Sequence, residues 1–163
     1  MMLSGDELRA ELHMLRMEQT FDFAGVARID RQLSGGHWVS VTGNRTDKYK
    51  HMVLKQGRGV AGTALMTGRL MTHQAYVQTG MTIADCPMML AEGLLSAVAI
   101  PIRSSSGVLG VLFIGSRQSH AYSLGTLVLL ERVAGTLRGR LQEEWLENEL
   151  PSKSEDTMKV QES

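Results

Sequence analysis

The stretch LLSAVAIPIRSSSGVLGVLFIGS, residues 94–116, carries the strongest signal for secondary structure in the chain. Two mainly apolar runs, 94–102 and 108–116, flank the polar segment RSSSG, which ends at Gly107. Apolar runs of this length, joined by a short turn that contains glycine, predict a β-hairpin. Because both runs contain few polar residues, we expect these strands at the centre of a sheet, covered on both faces.

A second hairpin is predicted towards the N-terminus. The segments FDFAGVARID (21–30) and HWVSVTG (37–43) are separated by a Ser-Gly-Gly turn. Alternation along the second segment places Trp38 and Val41 on opposite faces of its strand. A brief strand is also predicted over 70–73. Because the strands of a hairpin run antiparallel, the sheet is expected to be antiparallel.

Helices are predicted at both ends of the chain. Ser4 and Glu7 form a capping box ahead of leucines at helical spacing, which predicts a helix over 4–19. A longer helix is predicted over 123–150. Ser123 is its N-cap, and leucines at helical spacing form an apolar stripe along it. The polar segment 151–163 that follows is expected to be a disordered tail.

Two short helices are predicted between the hairpins. The glycine-rich segment GRGVAG (57–62) opens a helix that ends at Gly68. In DCPMMLAEG, Asp85 is expected to be the N-cap and Gly93 the stop. The order of elements predicts an α+β fold with helices on the faces of the sheet, not an alternating βαβ fold.

The composition limits the classes of function. The chain has 163 residues, 17 basic and 17 acidic, so no single-sign field favours nucleic acid or an anionic membrane. Its one cysteine excludes an internal disulfide. The N-terminal residues do not resemble a signal peptide, and no apolar run is long enough for a membrane span. We therefore expect one cytoplasmic domain, residues 1–148, with no membrane association.

No arrangement typical of catalysis or metal binding is visible. The five histidines are scattered without HxxxH or HExxH spacing, and no Ser/His/Asp set or carboxylate pair stands out. We expect no metal, no cofactor and no enzymatic activity. The short helix over 60–67 instead suggests a binding role, because free N–H groups at a helix N-terminus favour a small anion.

Several segments resemble the GAF domain, a small-molecule-sensing module. The resemblance rests on the element order and on the segments GRGVAGTALMTGRLM, LLSAVAIPI and GVLGVLFIGS, and it covers roughly residues 21–141. It implies a central antiparallel sheet with the N- and C-terminal helices on one face. The loops and short helices of a ligand pocket are then expected on the other face.

A longer pattern is similar to the NreA-type nitrate receptors, which are single-GAF proteins. It consists of Trp38, Gly43-Asn44, Tyr49-Lys50 and the segment 57–62. This resemblance implies a nitrate receptor that regulates a sensor histidine kinase of a two-component system controlling nitrate respiration or assimilation. A homodimer through the terminal helices is also expected.

The chemistry of nitrate and the resemblance together name a set of site residues. Nitrate is planar and weakly basic, so it needs several N–H donors and a flat wall. The expected ligand-binding residues are Trp38 as the wall, the Val60, Ala61 and Gly62 amides, Pro87 and Met88 as lining, and Ile100, with Pro101, as the apolar floor. Arg58 is expected to face solvent.

Other interpretations stay open at this point. The three glycines of the segment 57–62 also fit a turn into a tightly packed helix. The ligand could be nitrite, chloride, a carboxylate or another small molecule. Some GAF proteins reduce free methionine sulfoxide, although Cys86 has no resolving partner in the chain. The domain could also be an interaction module without a ligand.

Overall fold

A computed structural model of the chain describes residues 4–30, 32, 34–74, 85–119 and 121–142. The elements in chain order are α1 (Ser4–Gln19), β1 (Phe23–Asp30), β2 (Gly35–Thr42), a 3-10 turn (Lys48–His51), β3 (Val53–Lys55), α2 (Gly59–Thr67), β4 (Met71–Gln74), α3 (Pro87–Glu92), β5 (Ser96–Ser104), β6 (Gly107–Ser116) and α4 (124–142). The predicted extension of the last helix to residue 150 and the tail 151–163 lie outside the described residues.

The sheet has six strands in the order β3-β2-β1-β6-β5-β4. Every neighbouring pair is antiparallel. The hairpin β5–β6 lies inside the sheet, as the apolar character of residues 94–116 predicts. The first hairpin is β1–β2, and the brief strand predicted over 70–73 is β4. The α+β architecture expected from the sequence is therefore confirmed.

The two faces of the sheet carry separate apolar layers. On the helix face, α1 and α4 cover Val98, Ile100 and Ile102 of β5 together with alternate residues of β6. On the opposite face, here called the cavity face, α2 and α3 pack over Ala97, Phe113 and their neighbours. This division is the one that the GAF resemblance implies, with the terminal helices together on one side.

A β-bulge decides the direction in which Trp38 points. The pairing of β1 with β2 shifts between Val26 and Ala27, so that Val26 pairs with Ser40 and Ala27 with Trp38. Trp38 and Val41 consequently both join the core of the cavity face. The prediction from simple alternation, which placed these two side chains on opposite faces, is wrong because the bulge inserts one extra residue.

The ends of the helices follow the predicted signals, with one exception. Gly68 and Gly93 end α2 and α3 in the left-handed conformation. The Ser123 hydroxyl accepts the N–H of Thr126 at 3.1 Å at the start of α4. The N-cap of α3 is Cys86, so the prediction that Asp85 caps this helix is wrong.

A buried carboxylate at the end of α3 pairs with an arginine after β6 and binds the loop after β2. The Glu92 carboxylate is 3.0 Å from Arg117 Nη2 and accepts the N–H groups of Arg45 and Thr46 at 2.6 and 3.2 Å. The Glu92 side chain is 3% exposed. Arg117 Nε donates to the Glu92 carbonyl at 2.9 Å. This cluster fixes α3 against segments that are distant in sequence.

His73 on β4 is a buried histidine without a hydrogen-bond partner at Nδ1. It pairs with Ala97 and is 3% exposed, so the imidazole faces the apolar layer of the cavity face. Burial lowers the pKa of His73 below its ordinary value. The folded protein therefore favours the neutral imidazole.

We expect the free energy of unfolding to fall as the pH drops below about 6.5, the ordinary histidine pKa. In that range the unfolded chain binds a proton that folded His73 resists, so the unfolded state gains stability, by at most about 1.4 kcal/mol per pH unit. His73→Phe should show a smaller loss of stability between about pH 7.5 and about pH 5.5 in urea titrations. An equal loss in both proteins would contradict this assignment.

Candidate functional site

A cavity opens on the cavity face between β2, β3, the start of α2 and the start of α3. It encloses about 310 Å³ when the open space at its mouth is counted. The cavity is lined by Trp38, Met52, Val53, Leu54, Lys55, Arg58, Ala61, Cys86, Pro87 and Met88.

Two glycines of the segment 57–62 let three backbone segments meet beside this cavity. Gly59 has φ +70, and a Cβ there would lie 2.7 Å from the Asp85 carbonyl oxygen. A Cβ at Gly62 would lie 2.1 Å from the Lys55 carbonyl oxygen. These glycines therefore allow β3 and the segment before α3 to pack closely against the first turn of α2. The role of the two glycines is in packing.

The first turn of α2 directs backbone N–H groups towards the Cys86 side chain. Burial raises the pKa of the Cys86 thiol, while the N–H groups of Val60, Met89 and Ala61 oppose this increase and the Asp85 charge adds to it. Cys86 is 3% exposed. The thiol thus lies where the N-termini of α2 and α3 converge, and at neutral pH it is protonated.

Trp38 lines the cavity and carries a hydrogen-bond donor that is not used. Its side chain is 5% exposed, and its ring packs edge-on against Phe113 with centroids 5.5 Å apart. The indole Nε1 is buried and has no hydrogen-bond partner. A buried donor without an acceptor costs about 1–3 kcal/mol. An acceptor within reach of this nitrogen would remove that cost.

Two cationic side chains stand at the mouth of the cavity. Lys55 at the end of β3 and Arg58 before α2 are both exposed, and both line the opening. The solvent exposure predicted for Arg58 is confirmed, although its place beside the cavity was missed. These charges favour the entry of an anion from solvent.

The predicted site residues divide into three groups. Trp38, Ala61, Pro87 and Met88 line the cavity together. Val60 is buried beside it and presents its N–H to Cys86. The remaining two predictions, Gly62 and Ile100, need correction.

Gly62 has no free amide to offer, because its N–H donates to the Arg58 carbonyl at 3.2 Å.

The prediction that Ile100 forms the floor of the pocket is wrong. Ile100 is buried in the helix face, on the side of the sheet away from the cavity. Both faces of β5 are apolar, so the sequence does not indicate which side chains of this strand face the ligand. Alternation places Pro101 on the cavity face.

Sequence reasoning missed the contribution of the segment before the glycines. Met52 to Lys55 form one side of the cavity. The available signal was position alone: these residues directly precede the glycine-rich segment, so they had to lie near its helix. The neighbouring Cys86 also lines the cavity, although the sequence pattern assigns only Pro87 and Met88 of this segment to the pocket.

Neither a metal site nor a membrane-spanning helix is found among the described residues. No group of three or more His, Cys, Asp and Glu side chains in the described ranges is placed to hold a metal ion. Among the helices that the structure describes, none is long and apolar enough to cross a membrane.

The structure is an α+β domain with an antiparallel sheet, terminal helices on one face and a small cavity under short helices on the other. The chain belongs to the GAF domain family, whose sequence profile matches residues 12–139. Within this family it is similar to NreA of Staphylococcus aureus, solved as a protein mutated in its nitrate binding site. The identity is 28% and the TM-score 0.65, with 75% of this chain and 93% of that chain covered.

Other solved structures share the fold at lower identity. The GAF domain of an Acinetobacter phosphoenolpyruvate-protein phosphotransferase is 14% identical with a TM-score of 0.76, covering 89% of this chain and 85% of that chain. A type II free methionine-R-sulfoxide reductase from Thermoplasma acidophilum is 17% identical with a TM-score of 0.71, covering 86% and 94%. At these identities the likeness shows the fold alone. No curated protein matches the chain.

Proposed function

We propose that this chain is a receptor for a small anion, and that the anion is nitrate. The observation that carries the proposal is the indole Nε1–H of Trp38, a buried donor without a partner in the wall of a small cavity. The first turn of α2 supplies two further N–H groups, those of Val60 and Ala61, and the positive end of a helix dipole.

Nitrate suits this arrangement in shape and in charge. It is flat, so it can lie against an aromatic ring, and its three oxygens can accept from several N–H donors at once. It carries one charge and is weakly hydrated, so N–H groups hold it without a buried lysine. Lys55 and Arg58 at the mouth attract the ion but stay in water.

The similarity to NreA supports the same ligand. The matched region spans 93% of that chain, and that protein has a nitrate binding site. Two parts of the motif that carries the resemblance meet here, since Trp38 and residues of the segment 57–62 line one cavity. Nitrite, chloride and small carboxylates are the competing ligands.

The second half of the proposal concerns the partner. We propose that the receptor works in the cytoplasm and regulates a sensor histidine kinase of a two-component system through its terminal helices, which also offer a surface for a homodimer. Met14 and Met17 on α1 and Leu124 and Val128 on α4 keep 50% or more of their surface exposed. Nitrate biases the kinase only to the extent that it binds one form of the receptor better than the other.

A reductase function has less support. The chain has one cysteine, so a catalytic thiol and a resolving thiol cannot both be present. Burial raises the pKa of the Cys86 thiol, which keeps it in the less nucleophilic protonated form. We therefore propose a binding protein and not an enzyme.

Trp38→Phe tests the proposal because it keeps an aromatic wall and removes only the N–H donor. A hydrogen bond to a charged group contributes about 1.5–3 kcal/mol, so the variant should bind nitrate roughly 10- to 150-fold more weakly. The measurement is calorimetry with sodium nitrate, supported by thermal shift against sodium chloride at matched ionic strength.

Val111→Ala is the matched control, because Val111 belongs to the same apolar layer but does not line the cavity. It should melt earlier than the unaltered protein and bind nitrate with unchanged affinity. A nitrate response no larger than the chloride response in the unaltered protein would exclude nitrate. If Trp38→Phe and the unaltered protein bind nitrate with equal affinity, the indole N–H does not contribute to nitrate binding.

A further inference from the structure

The side of α4 that points away from the sheet carries a regular series of exposed residues. They recur in steps of three and four, so they lie on one side of the helix. The buried leucines and the buried alanine of α4 lie on the opposite side, in the apolar layer of the helix face. The exposed series, here called the α4 stripe, consists of Leu124, Val128, Glu131, Arg132, Gly135 and Gly139.

Two glycines of the α4 stripe have no packing role within one protomer. A Cβ on Gly135 or on Gly139 would meet no other heavy atom of the described residues within 4 Å. Both glycines are helical, and glycine weakens a helix interior relative to alanine. Glycines one turn apart form a notch in the surface of a helix, into which side chains of a second helix can fit closely.

The other end of the α4 stripe carries two large apolar side chains. Leu124 is 77% exposed and Val128 is 50% exposed. They are four residues apart, as the two glycines are. A second α4 that lies antiparallel to the first can therefore place its leucine and its valine in the notch. Leu124 of each copy then faces Gly139 of the other copy. Val128 likewise faces Gly135.

The charges in the middle of the α4 stripe fit the same orientation. In the register of those contacts, Glu131 of each copy lies opposite Arg132 of the other copy, so two equivalent ion pairs form. A parallel pair of helices would instead place each charge against its own copy, and like charges in contact are unfavourable. The stripe is therefore complementary to itself in shape and in charge, as an interface with twofold symmetry requires.

Two exposed methionines of α1 extend the apolar area at the outer ends of this contact. Phe21 after α1 packs against Tyr122 before α4, and ion pairs join the start of α1 to the end of α4, so the two helices run antiparallel. Met14 and Met17, which are 60% and 59% exposed, therefore lie towards the same end of the helix pair as Leu124.

We propose that the α4 stripe is the interface of a twofold-symmetric dimer, in which two copies of α4 pack antiparallel with Val128 of each copy in the notch at Gly135 of the other. This inference rests on the homodimer named in the proposed function and adds its residues, orientation and register. The interface lies on the side of the sheet away from the cavity, so dimerisation leaves the cavity mouth open.

Gly135→Leu fills the notch and should weaken the dimer. The added side chain collides with Val128 of the second copy at two equivalent places, so we expect the dissociation constant of the dimer to rise roughly 10- to 100-fold. Sedimentation velocity over a range of protein concentrations, without nitrate, measures this constant. Leucine is used because the single methyl group of alanine would leave room for the valine.

The variant should fold normally, because the space around a Cβ at Gly135 is open in the protomer. Thermal unfolding at a concentration where the unaltered protein is monomeric checks the fold. Thr136→Leu is the matched control, because it adds the same side chain at the next residue of α4, which is also exposed but lies outside the α4 stripe. Its dimer should be as stable as that of the unaltered protein.

An exchange of charges tests the orientation of the two helices. Glu131→Arg and Arg132→Glu should each weaken the dimer, because each places like charges opposite one another at two places. The double variant Glu131→Arg/Arg132→Glu restores opposite charges in the antiparallel register, so it should recover the dissociation constant of the unaltered protein. A double variant as weak as the single variants would contradict this register.

The outcomes separate this inference from the proposed ligand. An unaltered protein that stays monomeric up to about 1 mM would overturn the inference, because no specific interface is that weak. Equal dissociation constants for Gly135→Leu and the unaltered protein would also overturn it. Calorimetry with nitrate is a separate measurement. If the dimer forms as described but nitrate does not bind, only the proposed ligand is wrong, and if a monomer binds nitrate, only the dimer is wrong.

Discussion

Glu92→Ala is expected to destabilise the protein by about 3–5 kcal/mol, because it breaks a buried ion pair from one side. The substitution leaves the Arg117 guanidinium, whose side chain is 16% exposed, without its carboxylate. It also removes the acceptor of the Arg45 and Thr46 N–H groups and of the Thr46 hydroxyl, which donates at 3.0 Å. A loss of this size is a large part of the stability of a typical domain.

Urea unfolding of Glu92→Ala and the unaltered protein at neutral pH measures this effect. The matched control is Glu11→Ala, which also removes a carboxylate paired with an arginine, here Arg140. That pair joins α1 to α4 at the surface, so its loss should cost less than about 1 kcal/mol. If the two variants lose similar stability, the cluster around Glu92 is not the buried anchor described above.

Gly62→Ala is expected to cost about 2 kcal/mol or more, although alanine is the better helix former. A Cβ at this position would lie 2.1 Å from the Lys55 carbonyl oxygen, and a backbone atom cannot move aside as a side chain can. Either β3 or α2 must shift, and forcing atoms into a packed region costs about 1–3 kcal/mol. The shift would also distort the cavity, because both elements line it.

Gly135→Ala is the matched control, because the same chemical change should there raise the free energy of unfolding instead of lowering it. Gly135 is in α4, and a Cβ there would meet nothing within 4 Å. This substitution should stabilise the protein by about 0.5–1 kcal/mol, since glycine weakens a helix interior relative to alanine. Thermal unfolding of both variants gives the comparison. A stabilised Gly62→Ala would show that α2 and β3 are not in close backbone contact.

Local patterns in the sequence are sufficient to predict the secondary-structure elements and the family. Apolar runs and glycine turns specify the two hairpins, and helical spacing with caps specifies α1, α2, α3 and the start of α4. These signals are local, since each depends on residues only a few positions apart. The motif from Trp38 to Gly62 also indicated where the cavity forms, because a helix that opens after glycines offers free N–H groups wherever it is placed.

Strand pairing and register in the folded sheet determine which side chains reach the cavity. Trp38 joins its wall because a bulge in the pairing with β1 turns it to the same face as Val41. Ile100 faces the terminal helices because of the register of β5 in a sheet that is apolar on both sides.

The contacts that hold the site together also join residues that are distant in sequence. Glu92 binds Arg45 and Thr46 across 47 and 46 positions, and Cys86 packs directly against Gly59. A local pattern carries no information about such pairs. Strand register and the packing of separate segments fix them, and both exist only once the chain has folded.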